Sequence, residues 1–278
     1  MKILLITDNQ FGMCDDNLSS EKWSKRAEKW SISSKGIEKE KENLKYFIDY
    51  AIKENPDFVV HCGDIVNRIE DKLPIKEYLN LIEDLNPIPI YHVPGNHDVG
   101  IDPNIASSFG LDFYRNNFGK DYYSISKENS IFLFLNSSLF INHKELQSEF
   151  NLQNKFLKET LSGLDFDTNV VIFLHHPPYI NVNDLSKSQA QYLLEDRSID
   201  YWIFPKETIN EFMGLLEPFK NKSIYSGHLH SNLLTSFNGI KITVTSSLGL
   251  PLGEDNSGFR MININKNFTK DKFIEIPN

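Results

Sequence analysis

The 278 residues are 40% hydrophobic and 24% charged, with 29 basic against 38 acidic side chains and a net charge of -9. These are ordinary globular proportions, which exclude disordered, collagen-like and coiled-coil classes. Arginine occurs only at 26, 68, 115, 197 and 260, so no broad basic face is available for a nucleic-acid backbone, and no nucleic-acid partner is expected.

The chain opens on an apolar run that stops at Asp8, too short for the core of a secretory leader, and no stretch reaches the length of a membrane span. A cytoplasmic location without membrane attachment is therefore expected. Cys14 and Cys62 imply no disulfide framework. Segments 2–7, 58–62, 88–93, 131–135 and 170–174 are short, rich in Ile, Val, Leu and Phe, and bounded by turn residues, as buried strands are. Leu44, Phe47, Ile48, Ala51 and Ile52 recur at helical spacing in 37–54, as do Ile209, Phe212, Met213 and Leu216 in 206–220. The last third changes character. Runs at 223–226, 233–237, 239–245, 258–264 and 267–276 read as closely spaced strands, with a hairpin turn at Asn238-Gly239. They predict a second, more antiparallel sheet. With no linker between the halves, residues 1–278 read as one α/β domain of two packed mixed sheets, flanked by helices in an α/β/β/α sandwich. Stretches 12–36, with Trp23 and Trp30, and 180–204, with Tyr192, Tyr201 and Trp202, fit neither period. Long loops of this kind are expected to wall a functional site.

One arrangement recurs. Apolar strands run into Asp8, Asp64, Asn96 and His175, and in α/β sheets ligands bind beyond the carboxyl ends of strands. On an extended backbone, Asp8 and Gln10 would point the same way, as would His228 and His230. Gly63, Gly95 and Gly227 each precede one of these residues, where a sharp turn is expected. Seven candidate ligands are too many for one transition metal and suit two.

Taken in order, Asp8-x-Gln10, Gly63-Asp64, Gly95-Asn96-His97-Asp98, His175 and Gly227-His228-x-His230 resemble the motif series of the calcineurin-like metallophosphoesterases. Most of that superfamily has His where this chain has Gln10. Asp8-Asn9-Gln10-Phe11-Gly12, Leu135-Asn136-Ser137 and Ser246-Ser247 are similar to the cytosolic serine/threonine phosphatase branch, whose first motif reads Asp-x-Gln-Phe-Gly. The resemblance implies a phosphorylated substrate, and for that branch a phosphoprotein.

It also implies roles. Asp8, Gln10 and His230 would hold one divalent ion and Asn96, His175 and His228 a second, with Asp64 bridging, so that a water gains acidity for attack on phosphorus. A carboxamide at position 10 would shift preference from Zn towards Mn, Fe or Mg. His97 would meet the leaving oxygen, and Asp98 would orient its imidazole. Asn96, His97, Arg68 and Arg260 would contact substrate, although a surface or ion-pair role is open to both arginines. His61 and His92 read as structural, His176 as facing away from His175, with a supporting role behind the ligands open but not favoured, and His143 as a surface residue. A phosphodiesterase with the same centre, or a non-catalytic scaffold, are the rival readings.

Overall fold

The computed structural model describes residues 1–17, 36–100, 105–195, 197–252, 254–265 and 269–277. Trp23 and Trp30 lie outside the described residues. Strand β1 (Lys2–Ile6) shows how the layers arise. Its side chains alternate between faces, and Ile3 and Leu5 join a core with Phe58, Val60, Phe132, Phe134, Val171, Phe173 and Ile262, drawn from both sheets. Leu4 and Ile6 face the other way, towards Leu44, Phe47, Ile48 and Ala51 of helix Gly36–Glu54. Burial on both faces is why the strand reads as an unbroken apolar run.

The first sheet runs β11 (Thr269–Glu275), β10 (Gly258–Ile264), β1, β2 (Phe58–His61), β3 (Ile90–His92), with β1, β2 and β3 parallel and β10 antiparallel to β1. The second runs β4 (Tyr123–Lys127), β5 (Ser130–Phe134), β6 (Asn169–Phe173), β7 (Asn221–Ser226), β9 (Ile240–Val244), β8 (Leu233–Phe237). Its outer face packs on helices Gln147–Ser162 and Lys206–Leu216 through Leu157, Leu161, Ile209, Phe212, Met213 and Leu216. The expected two-sheet sandwich is therefore present.

The partition of the last third differs from expectation. Strands β8 and β9 form the predicted hairpin, with positive φ at Asn238 and Gly239. Yet β7 lies parallel to both β6 and β9, while β10 and β11 cross to the first sheet. A period of two tells which face a side chain takes, not which strand it pairs with. Similarly, 180–204 is not one long loop. It holds helix Lys187–Leu194, opened by Ser186 and Gln189 bonding each other's backbone, and a short turn at Ile199–Tyr201.

Candidate metal centre

The parallel strands end together, so their following loops meet. Asp8 N–H donates to Gly63 O at 2.9 Å, Gln10 N–H to Asp64 O at 2.8 Å, Gly227 N–H to His175 O at 3.0 Å and Gly249 N–H to Asp8 O at 3.1 Å. Asp8, Gln10, Asp64, His228 and His230 all have φ between 43° and 71°. Each pair i, i+2 is thus aimed by left-handed backbone, not by the extended alternation expected. Such conformations cost about 1–3 kcal/mol each and persist only where surroundings over-determine them. The cross-loop bonds supply that constraint. Of the three glycines, only Gly63 has positive φ. At Gly95 what matters is close approach, because a Cβ there would lie 2.0 Å from Asp64 Oδ1.

These loops gather the predicted ligands. His175 Nε2 lies 3.1 Å from Asp64 Oδ2, 3.9 Å from Asp8 Oδ1 and 3.2 Å from His228 Nδ1, and His230 Nε2 lies 3.3 Å from Asp8 Oδ1. The Nδ1 atoms of His175 and His230 bond the carbonyls of Cys62 and Leu250 at 2.8 and 2.6 Å. Donation to a carbonyl places the proton on Nδ1 and turns the Nε2 lone pair inward. Gln10 Nε2 donates to Asn67 Oδ1 at 3.1 Å, which turns its Oε1 inward too.

Asp8 Oδ1, Gln10 Oε1 and Asn96 Oδ1 are buried without a hydrogen-bond partner. Leaving such acceptors unsatisfied costs about 1–3 kcal/mol apiece. Three orphaned oxygens on the loops that meet around the Asp64, His175, His228 cluster, whose donor atoms lie within 4.8 Å of one another, are what divalent cations would satisfy. The residues fit the two ions that the motifs imply. Gln10→His should raise zinc occupancy relative to manganese or iron, and unchanged ratios by elemental analysis would count against a ligand role for Gln10.

Without a cation, protons take over part of that task. Burial opposes a charge on His175, but Asp64 and Asp8 outweigh it and hold the imidazole up at about 9. Burial pushes Asp8 upward, whereas at Asp64 His175 and His97 overcome burial and hold the carboxyl below the usual range. Since the folded value of His175 exceeds the ordinary 6.5, its stabilising pair is complete below 6.5 and is lost as pH rises towards 9. Cation binding requires the neutral ring and strengthens over the same interval. The Tm difference between manganese-loaded and chelator-treated protein should therefore widen from pH 6.5 to 9. A difference independent of pH would refute this linkage.

Residues 1–232 match the calcineurin-like phosphoesterase family. The chain belongs to that family. It is 27% identical over 220 residues to the serine/threonine-protein phosphatase CPPED1 of Pongo abelii, covering 76% of this chain and 65% of that protein. It is also 27% identical over 201 residues to the 3',5'-cyclic adenosine monophosphate phosphodiesterase CpdA of Haemophilus influenzae, covering 69% of this chain and 62% of the relative. The chain thus spans a little under two thirds of the length of these relatives. A dimetal phosphatase from Danio rerio shares the fold, with a TM-score of 0.58 at 14% identity over 99% of this chain and 97% of the other.

Several expectations need correction. Asp98 does not touch the His97 ring. It accepts from Gly95 N–H at 2.8 Å and Ile65 N–H at 2.9 Å, because adjacent side chains on a helical turn diverge. Its carboxylate clamps the Asn96 loop to the Asp64 loop, and burial, then Asp64, push it up to about 7. The partner of His97 Nδ1 is the carbonyl of Asn67, at 2.8 Å. Asn67 also meets Gln10 and Asp16, so it links three parts of the site. No motif marks it.

Arg68 is more than half exposed and pairs with Asp16 at 3.0 Å. Arg260 is committed inside the protein, to Asp271 at 2.7 Å, Asn232 at 2.8 Å and Thr245 at 3.0 Å, and the structure does not bring it to the ligand cluster. His61 bridges Asn9 and Gly63, and His92 meets Tyr78, so both are buried structural groups as expected. His143 is half-buried and stacks on Phe150. His176 does not face away. Its ring lies 4.2 Å from that of His228. From the 180–204 stretch, Tyr201 lines a 390 Å³ cavity with Asn96, His176 and His228, while Trp202 is buried against His228 and Tyr192 is buried over Leu229.

Proposed function

We propose that this chain is a single-domain, metal-dependent phosphatase hydrolysing phosphomonoesters, with phosphoserine or phosphothreonine in cytoplasmic proteins as its substrate. The observation that carries this reading is the set of buried, unpartnered oxygens of Asp8, Gln10 and Asn96, next to a 390 Å³ cavity lined by Asn96 and His228 and large enough for a phosphorylated side chain. Asp8, Gln10 and His230 would hold one ion, Asn96, His175 and His228 the other, with Asp64 between them. A divalent pair, when bound, supplies Lewis acidity to the phosphoryl oxygens and acidity to a water.

The chain's own groups do the rest. His97 is tied by its Nδ1 to Asn67 O, which leaves Nε2 to deliver a proton to the departing alkoxide. Delivery requires the imidazolium, so His97 acts as general acid. Its backbone N–H donates to Asp64 Oδ1 at 3.0 Å, fixing the acid relative to the bridging carboxylate. Asn96, on the preceding residue, places its side chain at the cavity wall.

Assays of an aryl phosphate, a phosphopeptide, a bis-aryl phosphate and cyclic AMP with Mn, Fe, Zn and Mg test the reading. The monoesters should be turned over fastest, with Mn or Fe preferred to Zn, and His97→Ala should lower kcat by about 10²–10⁴, the range for a positioned acid. A wild-type protein faster on diesters would favour a phosphodiesterase, the reading suggested by the cyclic-nucleotide phosphodiesterase relative.

A further inference from the structure

The Leu135-Asn136-Ser137 motif has no part in the roles above, yet hydrogen bonds hold Asn136 through both its backbone and its side chain. Asn136 N–H donates to Gln153 Oε1 at 2.8 Å, and Gln153 Nε2 returns a bond to Asn136 O at 3.0 Å. The Asn136 side chain is itself fixed, donating to Asp121 at 3.1 Å and accepting from Ser138 N–H at 3.1 Å. All of Asn136, Ser137 and Gln153 are fully buried. Two helix-borne and loop-borne amides are thus spent on locating one hydroxyl, that of Ser137.

Among the described residues that hydroxyl has two hydrogen-bond partners, and both belong to His176. Ser137 Oγ accepts the His176 backbone N–H at 2.9 Å and lies 2.8 Å from His176 Nδ1. If Nδ1 carried the ring proton, the Ser137 hydrogen would be buried with no acceptor among the described residues, at the cost of an unmade bond. Donation from Ser137 Oγ–H to Nδ1 satisfies both groups. It also puts the ring proton on Nε2, at the ring edge away from Ser137. The imidazole is buried, packs on the His228 ring, and lines the 390 Å³ cavity beside Asn96 and His228.

We infer that His176 is a substrate-binding residue, presenting a fixed neutral Nε2–H donor to an oxygen of the phosphoryl group in the cavity, and that Ser137 is the positioning residue that sets its tautomer. The inference rests on the phosphoesterase reading and adds to it a donor contributed by the protein. A neutral donor in this place suits an anionic oxygen already beside cations, because it binds the oxygen without adding charge that would repel the ions. It also explains why position 176 is filled by a ring that the seven ligands do not need.

The test uses the full chain loaded with manganese and titrated with inorganic phosphate by calorimetry, alongside metal analysis and aryl phosphate kinetics. His176→Ala should weaken phosphate binding by about tenfold or more, the scale of a hydrogen bond to a charged group, with metal content at the wild-type ratio and a rise in KM larger than the fall in kcat. His176→Gln, whose amide nitrogen reaches the position of Nε2, should recover part of the loss. Ser137→Ala should weaken phosphate binding several-fold, by releasing the tautomer. Phosphate affinity within twofold of wild type in His176→Ala, or no recovery with Gln, overturns the inference. Loss of metal in His176→Ala also overturns it and makes the ring a prop for His228. If wild-type protein turns over no ester and binds no phosphate, the phosphoesterase reading itself fails and this inference with it. If wild type does both and the variants match it, only the role of His176 falls.

Discussion

Asp64→Asn should lower hydrolysis of an aryl phosphate by at least about a thousandfold, the upper scale for removing one preorganised electrostatic contributor, and should reduce bound metal below two ions per chain. The substitution keeps shape and volume, so the cause is chemical. Asp64 Oδ2 faces His175 Nε2 at 3.1 Å, while Oδ1 accepts the His97 backbone N–H at 3.0 Å. An amide must turn its NH2 group to one side or the other. In one orientation it confronts the His97 N–H donor to donor. In the other it offers hydrogens where a shared ligand oxygen is needed. The folded state should survive, since Asp64 is also held through its backbone carbonyl by Gln10 N–H. Activity within tenfold of wild type, with two ions retained by elemental analysis, would remove Asp64 from the bridging position.

Gly227→Ala should be nearly as damaging, for a purely steric reason. A Cβ at this position would lie 1.9 Å from Thr7 Oγ1 and 2.4 Å from Asp8 Oδ2. Those two atoms are themselves 2.7 Å apart in a hydrogen bond, and Asp8 Oδ2 also accepts His228 N–H at 3.0 Å. Nothing there is a flexible side-chain end. Either Asp8 swings out, or the turn carrying His228 and His230 retreats, and each removes ligands from the centre. Overpacking of this kind costs about 1–3 kcal/mol, so the protein should fold with a depressed Tm. Turnover should fall by about 10² or more, the loss expected when reacting groups shift by an ångström. Wild-type turnover with an unchanged Tm would show that the two loops are free to part.

The two variants probe different layers of the same design. Asp64 matters through the charge and lone pairs it offers. Gly227 matters because β7 and β1, in different sheets, must bring their loops into contact before any ligand set exists.

Much of this was legible in the residues themselves. Strands buried on both faces must be continuously apolar, so Ile3-Leu4-Leu5-Ile6 and Phe58-Val59-Val60 announced themselves. A strand of that kind ending in Asp, Asn or His is a chemical anomaly that periodicity cannot explain away, so the ligand candidates stood out together. Helices Lys72–Ile82, Ser108–Phe118 and Gln147–Ser162 were not marked in the same way. The last buries only Gln153, Leu157 and Leu161 while exposing Leu152, a stripe too narrow to read with certainty of period.

What the sequence alone determined is chemical identity: which donor atoms exist, that they follow buried strands, and that their number suits a pair of cations. Only the tertiary structure decided direction and partnership. It sent β10 and β11 to the first sheet, aimed five candidate ligand residues by left-handed backbone, gave Asp98 to the amides of Gly95 and Ile65 instead of to His97, tied up Arg260 with Asp271 and Asn232, and turned His176 into the cavity. The physical reason is that a residue's chemistry is local, whereas the group that satisfies a buried donor or acceptor is whichever one the packing brings within 3 Å. Partners of that kind, often tens or hundreds of positions away, leave no mark in the residues beside them.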